Sequence, residues 1–98
     1  MSLVFEVRDK TGRCIRLTDE QWEHITHDHP EISPYIEDMK EILINPTTIT
    51  SFDYDEKIKY YYKYFKQRVS PAKYLLTVVK YLNGDGFIIT AYFVRKIP

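Results

Sequence analysis

Ninety-eight residues, 44% of them apolar, make one small domain near the lower size at which a chain supplies its own core. One cysteine, Cys14, excludes an internal disulfide, and apolar runs of only a handful of residues exclude a membrane-spanning helix. The formal net charge of zero hides a split: residues 1–56 hold five Lys and Arg against thirteen Asp and Glu, whereas residues 57–98 hold nine against Asp85 alone.

In chain order, residues 4–7 and 14–17 flank Asp9-Lys10-Thr11-Gly12 and predict a β-hairpin. Thr18 is a helix N-cap, Asp19 and Glu20 complement the helix dipole, and Gln21 completes a capping box. That helix is expected to run to about Asp28 and to stop before Pro30. A second begins at Ser33 with Pro34 at its first position and ends near Asn45-Pro46. Its apolar residues Tyr35, Ile36, Met39, Ile42 and Leu43 keep helical spacing, and Glu37, Asp38 and Glu41 make its outer face acidic.

The remainder is strand-like. Residues 48–52 are β-branched, and residues 53–56 suit a turn. Residues 57–65 alternate, with Ile58, Tyr60, Tyr62 and Tyr64 on one face and Lys57, Lys59, Tyr61, Lys63 and Phe65 on the other. A loop at residues 67–71 precedes a strongly β-prone central strand over 74–82. Asn83-Gly84-Asp85-Gly86 is the clearest turn signal, and residues 87–94 return as the last strand. The expected fold is therefore a single α+β domain over residues 1–98. An N-terminal hairpin and two helices pack on a three- or four-stranded antiparallel meander. No basic region followed by a long apolar stretch is visible, and a lone thiol suits a reducing compartment, so a soluble, cytoplasmic protein is expected.

Three histidines fall within the run His24-Ile25-Thr26-His27-Asp28-His29. Imidazoles exchange protons near neutral pH or bind transition metals. On a regular helix Trp22, Ile25 and His29 share the core-facing stripe, His24 points roughly opposite and His27 lies between, so the rings do not converge. No cysteine pair or H-E-x-x-H pattern supplies further ligands, and no metal or other cofactor is expected. His29 is either a helix-terminal histidine satisfying backbone groups or a proton carrier. His24 is either simply exposed or a proton carrier. Cys14 reads as structural, since nothing nearby would lower its pKa.

The basic half offers a second constellation. With an even-length loop around residues 83–86, Lys73, Thr77, Val79, Thr90 and Tyr92 share one sheet face, and Lys80 joins Ile89, Ala91 and Phe93 on the other. A one-residue bulge would exchange these sets. Thr90 and Tyr92 are either edge or core hydroxyls, or a hydroxyl pair in a cleft beside Lys73, Lys80 or Arg68. Tyr60-Tyr61-Tyr62 is either half core and half sheet surface, or a platform for unpaired bases.

Trp22-x-His24-Ile25, His29-Pro30-Glu31, a following helix ending in Asn45-Pro46, a tyrosine-rich strand and the closing Phe87-Ile88-Ile89-Thr90-Ala91-Tyr92 occur in that order. Over roughly residues 14–95 the chain resembles small phage and prokaryotic domains of the barnase–EndoU–colicin–RelE (BECR) nuclease superfamily. The resemblance implies helices packed on a curved antiparallel sheet, RelE-like, and a metal-independent endoribonuclease of toxin-like type. It maps catalytic groups onto His24, His29, Lys80, Thr90 and Tyr92. The near-neutral net charge departs from the basic character usual in RelE-like toxins.

Two function classes follow. An endoribonuclease would attack phosphate with the RNA 2′-hydroxyl, using His24 or His29 as acid or base and Tyr92 as proton donor. Lys80 and Arg68 would hold the phosphate beside Lys73, and Thr90 would donate a hydrogen bond to it. A non-catalytic module of the same fold would bind RNA or an antitoxin-like protein, or pair acidic helices with a second copy's basic sheet as a homodimer. No membrane partner is expected.

Overall fold

The computed structural model describes residues 2–98. In chain order the elements are β1 (Leu3–Arg8), β2 (Cys14–Thr18), α1 (Asp19–Asp28), a 3-10 segment (Pro30–Tyr35), α2 (Ile36–Ile44), β3 (Thr48–Phe52), β4 (Asp55–Tyr64), β5 (Tyr74–Tyr81) and β6 (Asp85–Val94). None of the helices is long and apolar enough to cross a membrane.

Gly12 closes the β1–β2 hairpin at φ +90°, a conformation that costs a side chain with a Cβ. Thr18 caps α1 as expected, its hydroxyl accepting the Gln21 N–H at 3.1 Å. The capping box is only half made, however. The Gln21 side chain leaves the helix and donates instead to the backbone carbonyl of Ile89 on β6. The second helix also departs from expectation. Ser33 and Pro34 lie inside the 3-10 segment, and α-helical geometry starts only at Ile36. Pro30 and Pro34 each lack the N–H that an α-helical turn would use, so the tighter turn bridges them.

The sheet order is β1-β2-β6-β5-β4-β3. The four-stranded meander forms as read, but the hairpin does not stand apart from it. β2 joins β6 in parallel through Cys14↔Asp85, Ile15↔Gly86 and Arg16↔Phe87, giving one six-stranded, mostly antiparallel sheet. On its other side β6 meets β5 closely at Gly86, where a Cβ would sit 2.6 Å from the Lys80 carbonyl of β5 and, towards β2, 3.0 Å from Ile15 Cδ1.

Both helices cover one face of the sheet. Ile25, Ile32, Met39, Ile42 and Leu43 pack there against Ile15, Leu17, Tyr61, Leu75, Val79 and Ile88 in a continuous core. The alternation of β4 is as predicted: Tyr61 turns into this core and Tyr62 to the other face. That other face carries no helix. Buried Tyr62, Leu76 and Val78 are flanked there by half-buried Tyr60, Tyr74, Tyr92 and Val94, with Ile97 folded onto them.

The faces of β5 and β6 correct the even-loop expectation. Val79 pairs with Ile88, but Val78 pairs with Thr90, so Ile89 is an extra residue on β6. The bulge inverts the pleat beyond it. Thr90 and Tyr92 therefore stand beside Val78 and Leu76 on the open face, which they share with Lys80, and Thr77 and Val79 stand with Ala91 and Ile88.

Candidate functional site

β2 accompanies β6 only as far as Phe87. Beyond that point no strand among the described residues pairs with the outer edge of β6, and α1 and the 3-10 segment lie against it. Gln21 occupies the place a ladder partner would take, on the carbonyl of the bulged Ile89. Sequence reading missed this role, because it pairs residues 68 positions apart.

His29 ends α1 with its N–H donating to the Ile25 carbonyl at 2.7 Å. The Pro30 that follows ends the helix, and the half-buried imidazole lies flat against Tyr92, with ring centroids 4.9 Å apart and planes 20° off parallel. Thr90 is on the same face two residues away, about 7 Å along the strand. His29, Tyr92 and Thr90 thus gather at one rim, where the free edge of β6 meets the open face.

His24 is elsewhere. It is exposed, and with Glu20, Glu23 and His27 it lines a shallow groove formed by the outer surface of α1 alone. Among the described residues no three His, Cys, Asp or Glu side chains converge as metal ligands would.

The cations divide into groups. Lys80 is on the open face but is four residues along β5 from Leu76, the partner of Tyr92, or about 13 Å. Its ammonium is paired with Asp55 at 3.2 Å. The Lys57 backbone N–H and Lys80 hold the Asp55 carboxyl below its ordinary pKa. Lys59 and Lys63 alternate with the open-face tyrosines of β4 and turn to the helix side. Lys57 lies near the start of β4, and five further cations collect at the opposite end of the sheet, where Tyr74 pairs with Val94. Lys73 precedes that pair, Arg95 and Lys96 follow it, and Lys66 and Arg68 lie in the β4–β5 loop. Among the described residues none of these five joins an ion pair. Arg68 is held by its own contacts, with its guanidinium 3.6 Å from the Phe93 ring centroid and one amino group donating to the Ala72 carbonyl at 2.7 Å. The Lys73 ammonium donates to the Arg68 carbonyl. The basic half therefore gathers most of its unpaired cations at one end of the sheet, about 7 Å beyond Tyr92 along β6, rather than over a basic sheet face.

Tyr62 adjoins the site from β4, across Leu76 from Tyr92. Burial pushes its phenol pKa up, and the Tyr60 and Tyr92 phenols add to this against the Thr50 side chain, which lowers it. At the opposite end of the sheet a second polar group was invisible in the sequence. The buried Asp9 carboxylate accepts from the Thr11 N–H and hydroxyl, the Arg13 N–H and the Tyr61 hydroxyl, and Tyr61 in turn meets Tyr81 at 2.5 Å.

With this geometry in place, comparison with protein families finds a match over residues 4–96 to phage-Barnase-EndoU-ColicinE5/D-RelE like nuclease2. The chain belongs to this family. The match spans both the hairpin and the last strand, so the six-stranded sheet and the helices on it are the body of a BECR nuclease domain. No curated protein and no solved structure matches the chain. Family membership supports a nuclease-like role for this domain, and its candidate residues are those gathered at the β6 rim.

Proposed function

We propose that this BECR domain is a metal-independent endoribonuclease that cuts RNA by attack of a 2′-hydroxyl on the adjacent phosphate. The observation that carries the reading is the stacked His29–Tyr92 pair at the open rim of β6. His29 takes the proton from the 2′-oxygen as that oxygen bonds to phosphorus, and the Tyr92 phenol protonates the departing 5′-oxygen. The products are a 2′,3′-cyclic phosphate and a free 5′-hydroxyl. Thr90 donates to a non-bridging phosphate oxygen in the transition state. Lys73 and the neighbouring cations hold the phosphates that follow along the strand. Lys80, paired with Asp55 and about 13 Å along β5 from the Tyr92 partner, takes no part in this site.

Pure protein incubated with total RNA in EDTA tests this reading. Cleavage to cyclic-phosphate ends is expected, with a loss of about 10²–10⁴-fold in His29→Ala. His24→Ala, assayed in parallel, decides between the two histidines, since the proton carrier is the one whose loss is larger. Intact RNA at high protein concentration, or equal cleavage by wild type and His29→Ala, would refute the reading.

A second reading draws on the uncovered, tyrosine-rich sheet face. There the domain binds RNA or an antitoxin-like protein without cutting. Single-stranded RNA binding that weakens with salt, with every strand left intact, would favour it.

A further inference from the structure

α1 meets β6 at two specific points. Gln21, in its first turn, donates to the backbone carbonyl of Ile89, and His29, its C-cap, stacks on Tyr92. We propose that Gln21 is a positioning residue: its bond to Ile89 sets where α1 sits along β6, and so holds the His29 ring on Tyr92. The proposal deepens the ribonuclease reading of that rim and rests on it for the effect on cleavage.

The spans of the two elements match. From Gln21 to His29 the helix rises about 12 Å, and from Ile89 to Tyr92 the strand covers about 10 Å. A helix lying along β6 in the same sense therefore makes both contacts at once. Little else fixes its place. Ile25 is the one buried residue of α1, and Trp22 is half-buried. Apolar attraction is non-directional, so it presses the helix to the sheet without choosing its height along the strand. A directed hydrogen bond does choose it.

Both ends of that bond are prepared. The Thr18 hydroxyl accepts the Gln21 backbone N–H at 3.1 Å, which anchors the residue and leaves its side chain free to reach β6. A bulge takes its extra residue out of the ladder, so the Ile89 carbonyl is available at an edge where no strand among the described residues follows. The register of β6 is held separately, because Ala91 is buried in the core and keeps Thr90 and Tyr92 on the open face. What Gln21 governs is the helix. A shift of about 1 Å, made far from the chemistry, costs on the order of 100-fold in rate when it displaces a reacting group.

Two variants test the clamp. Gln21→Glu keeps the shape and loses the N–H donors, since a carboxylate only accepts. Gln21→Met keeps the length without polarity. The Tyr92 ring current shifts the His29 Cε1–H proton resonance upfield, and the peak is assigned by its loss in His29→Ala. At a pH where all three imidazoles are neutral, both variants are expected to return this resonance towards those of the exposed His24 and His27. Cleavage at saturating RNA in EDTA should fall on the order of 10–100-fold. Affinity for RNA 2′-O-methylated throughout should hold, because the cations that grip phosphate lie on other elements. Tyr81→Phe, at the far end of the sheet, controls for lost stability and should keep both the resonance and the rate. An unmoved His29 resonance in both variants, or an equal loss of rate in Tyr81→Phe, would overturn the proposal. The parent reading fails differently. If the wild type leaves RNA intact, the nuclease falls and the resonance still decides the clamp. If cleavage depends on His29 but neither Gln21 variant slows it, the clamp falls and the nuclease stands.

Discussion

Replacing Tyr61 with phenylalanine removes one oxygen from the centre of a buried chain of three groups. Tyr61 is 0% exposed and Asp9 5%. A phenol has one proton, and Tyr61 donates it to Asp9 Oδ2 at 2.5 Å, so the Tyr81 hydroxyl donates to Tyr61. In Tyr61→Phe the carboxylate keeps its three contacts at Oδ1 from Thr11 and Arg13, but Oδ2 loses its donor and the Tyr81 hydroxyl loses its acceptor. A hydrogen bond to a buried charge is worth roughly 1.5–3 kcal/mol, and a stranded partner adds to the cost, so a loss of about 3 kcal/mol is expected. For a domain of this length that is roughly 12–24 °C in Tm. Tyr81→Phe removes only the terminal donor and leaves Asp9 satisfied, so about 1 kcal/mol is expected. The Arg13 guanidinium, 4.0 Å from the Tyr81 ring centroid, keeps an aromatic face beneath it. Urea unfolding followed by the fluorescence of Trp22, which packs against the core, measures both variants. A Tyr61→Phe cost no larger than that of Tyr81→Phe would refute the directed chain.

The same phenol makes stability depend on alkaline pH. Burial, then the bonds to Asp9 and Tyr81, push the Tyr61 pKa far up from 10.0, so its contribution is complete below pH 10 and falls as unfolded phenols ionise above it. Unfolding midpoints between pH 8 and 11 should fall less steeply in Tyr61→Phe than in wild type. Asp55 behaves in the opposite sense. Its carboxyl is held below 3.8, so its pairing contributes above that pH and is lost on further acidification, and an Asp55→Asn variant should show a flatter acid limb. Gly86→Ala should cost roughly 1–3 kcal/mol by overpacking, because its Cβ would meet the Lys80 carbonyl at 2.6 Å. A variant unfolding with the wild type would show that β5 and β6 are not so closely apposed at Gly86.

Local signals carried much of the fold to the surface of the sequence. Thr18 marks the start of α1, the alternation of Ile58 to Tyr64 assigns the faces of β4, and Thr48–Phe52 forms a strand with the expected bounds. What stayed hidden depends on distant partners. Nothing within residues 87–94 announces that Ile89 is a bulge, yet this one residue decides which way Thr90 and Tyr92 point. Asp9 has the composition of an exposed turn and becomes a buried acceptor because Tyr61, 52 residues away, supplies its donor. For the candidate site, His29 was legible as a core-stripe residue at the helix end. Its stacking on Tyr92 required knowledge of where β6 sheds its β2 neighbour.

The parallel seam between β2 and β6 has a kinetic consequence. Its Arg16–Asp85 ion pair joins groups 69 residues apart. Such long-range closure is slow, because loop entropy is lost before the contacts form. During synthesis the hairpin and both helices emerge before the strand that seals them, leaving β2 without its inner neighbour. Refolding should therefore be rate-limited by docking of β6, and Arg16→Ala should slow that docking to the extent that the ion pair forms in the transition state. His29 likewise meets Tyr92 only once β6 is laid down, so the candidate rim is completed among the last events of folding.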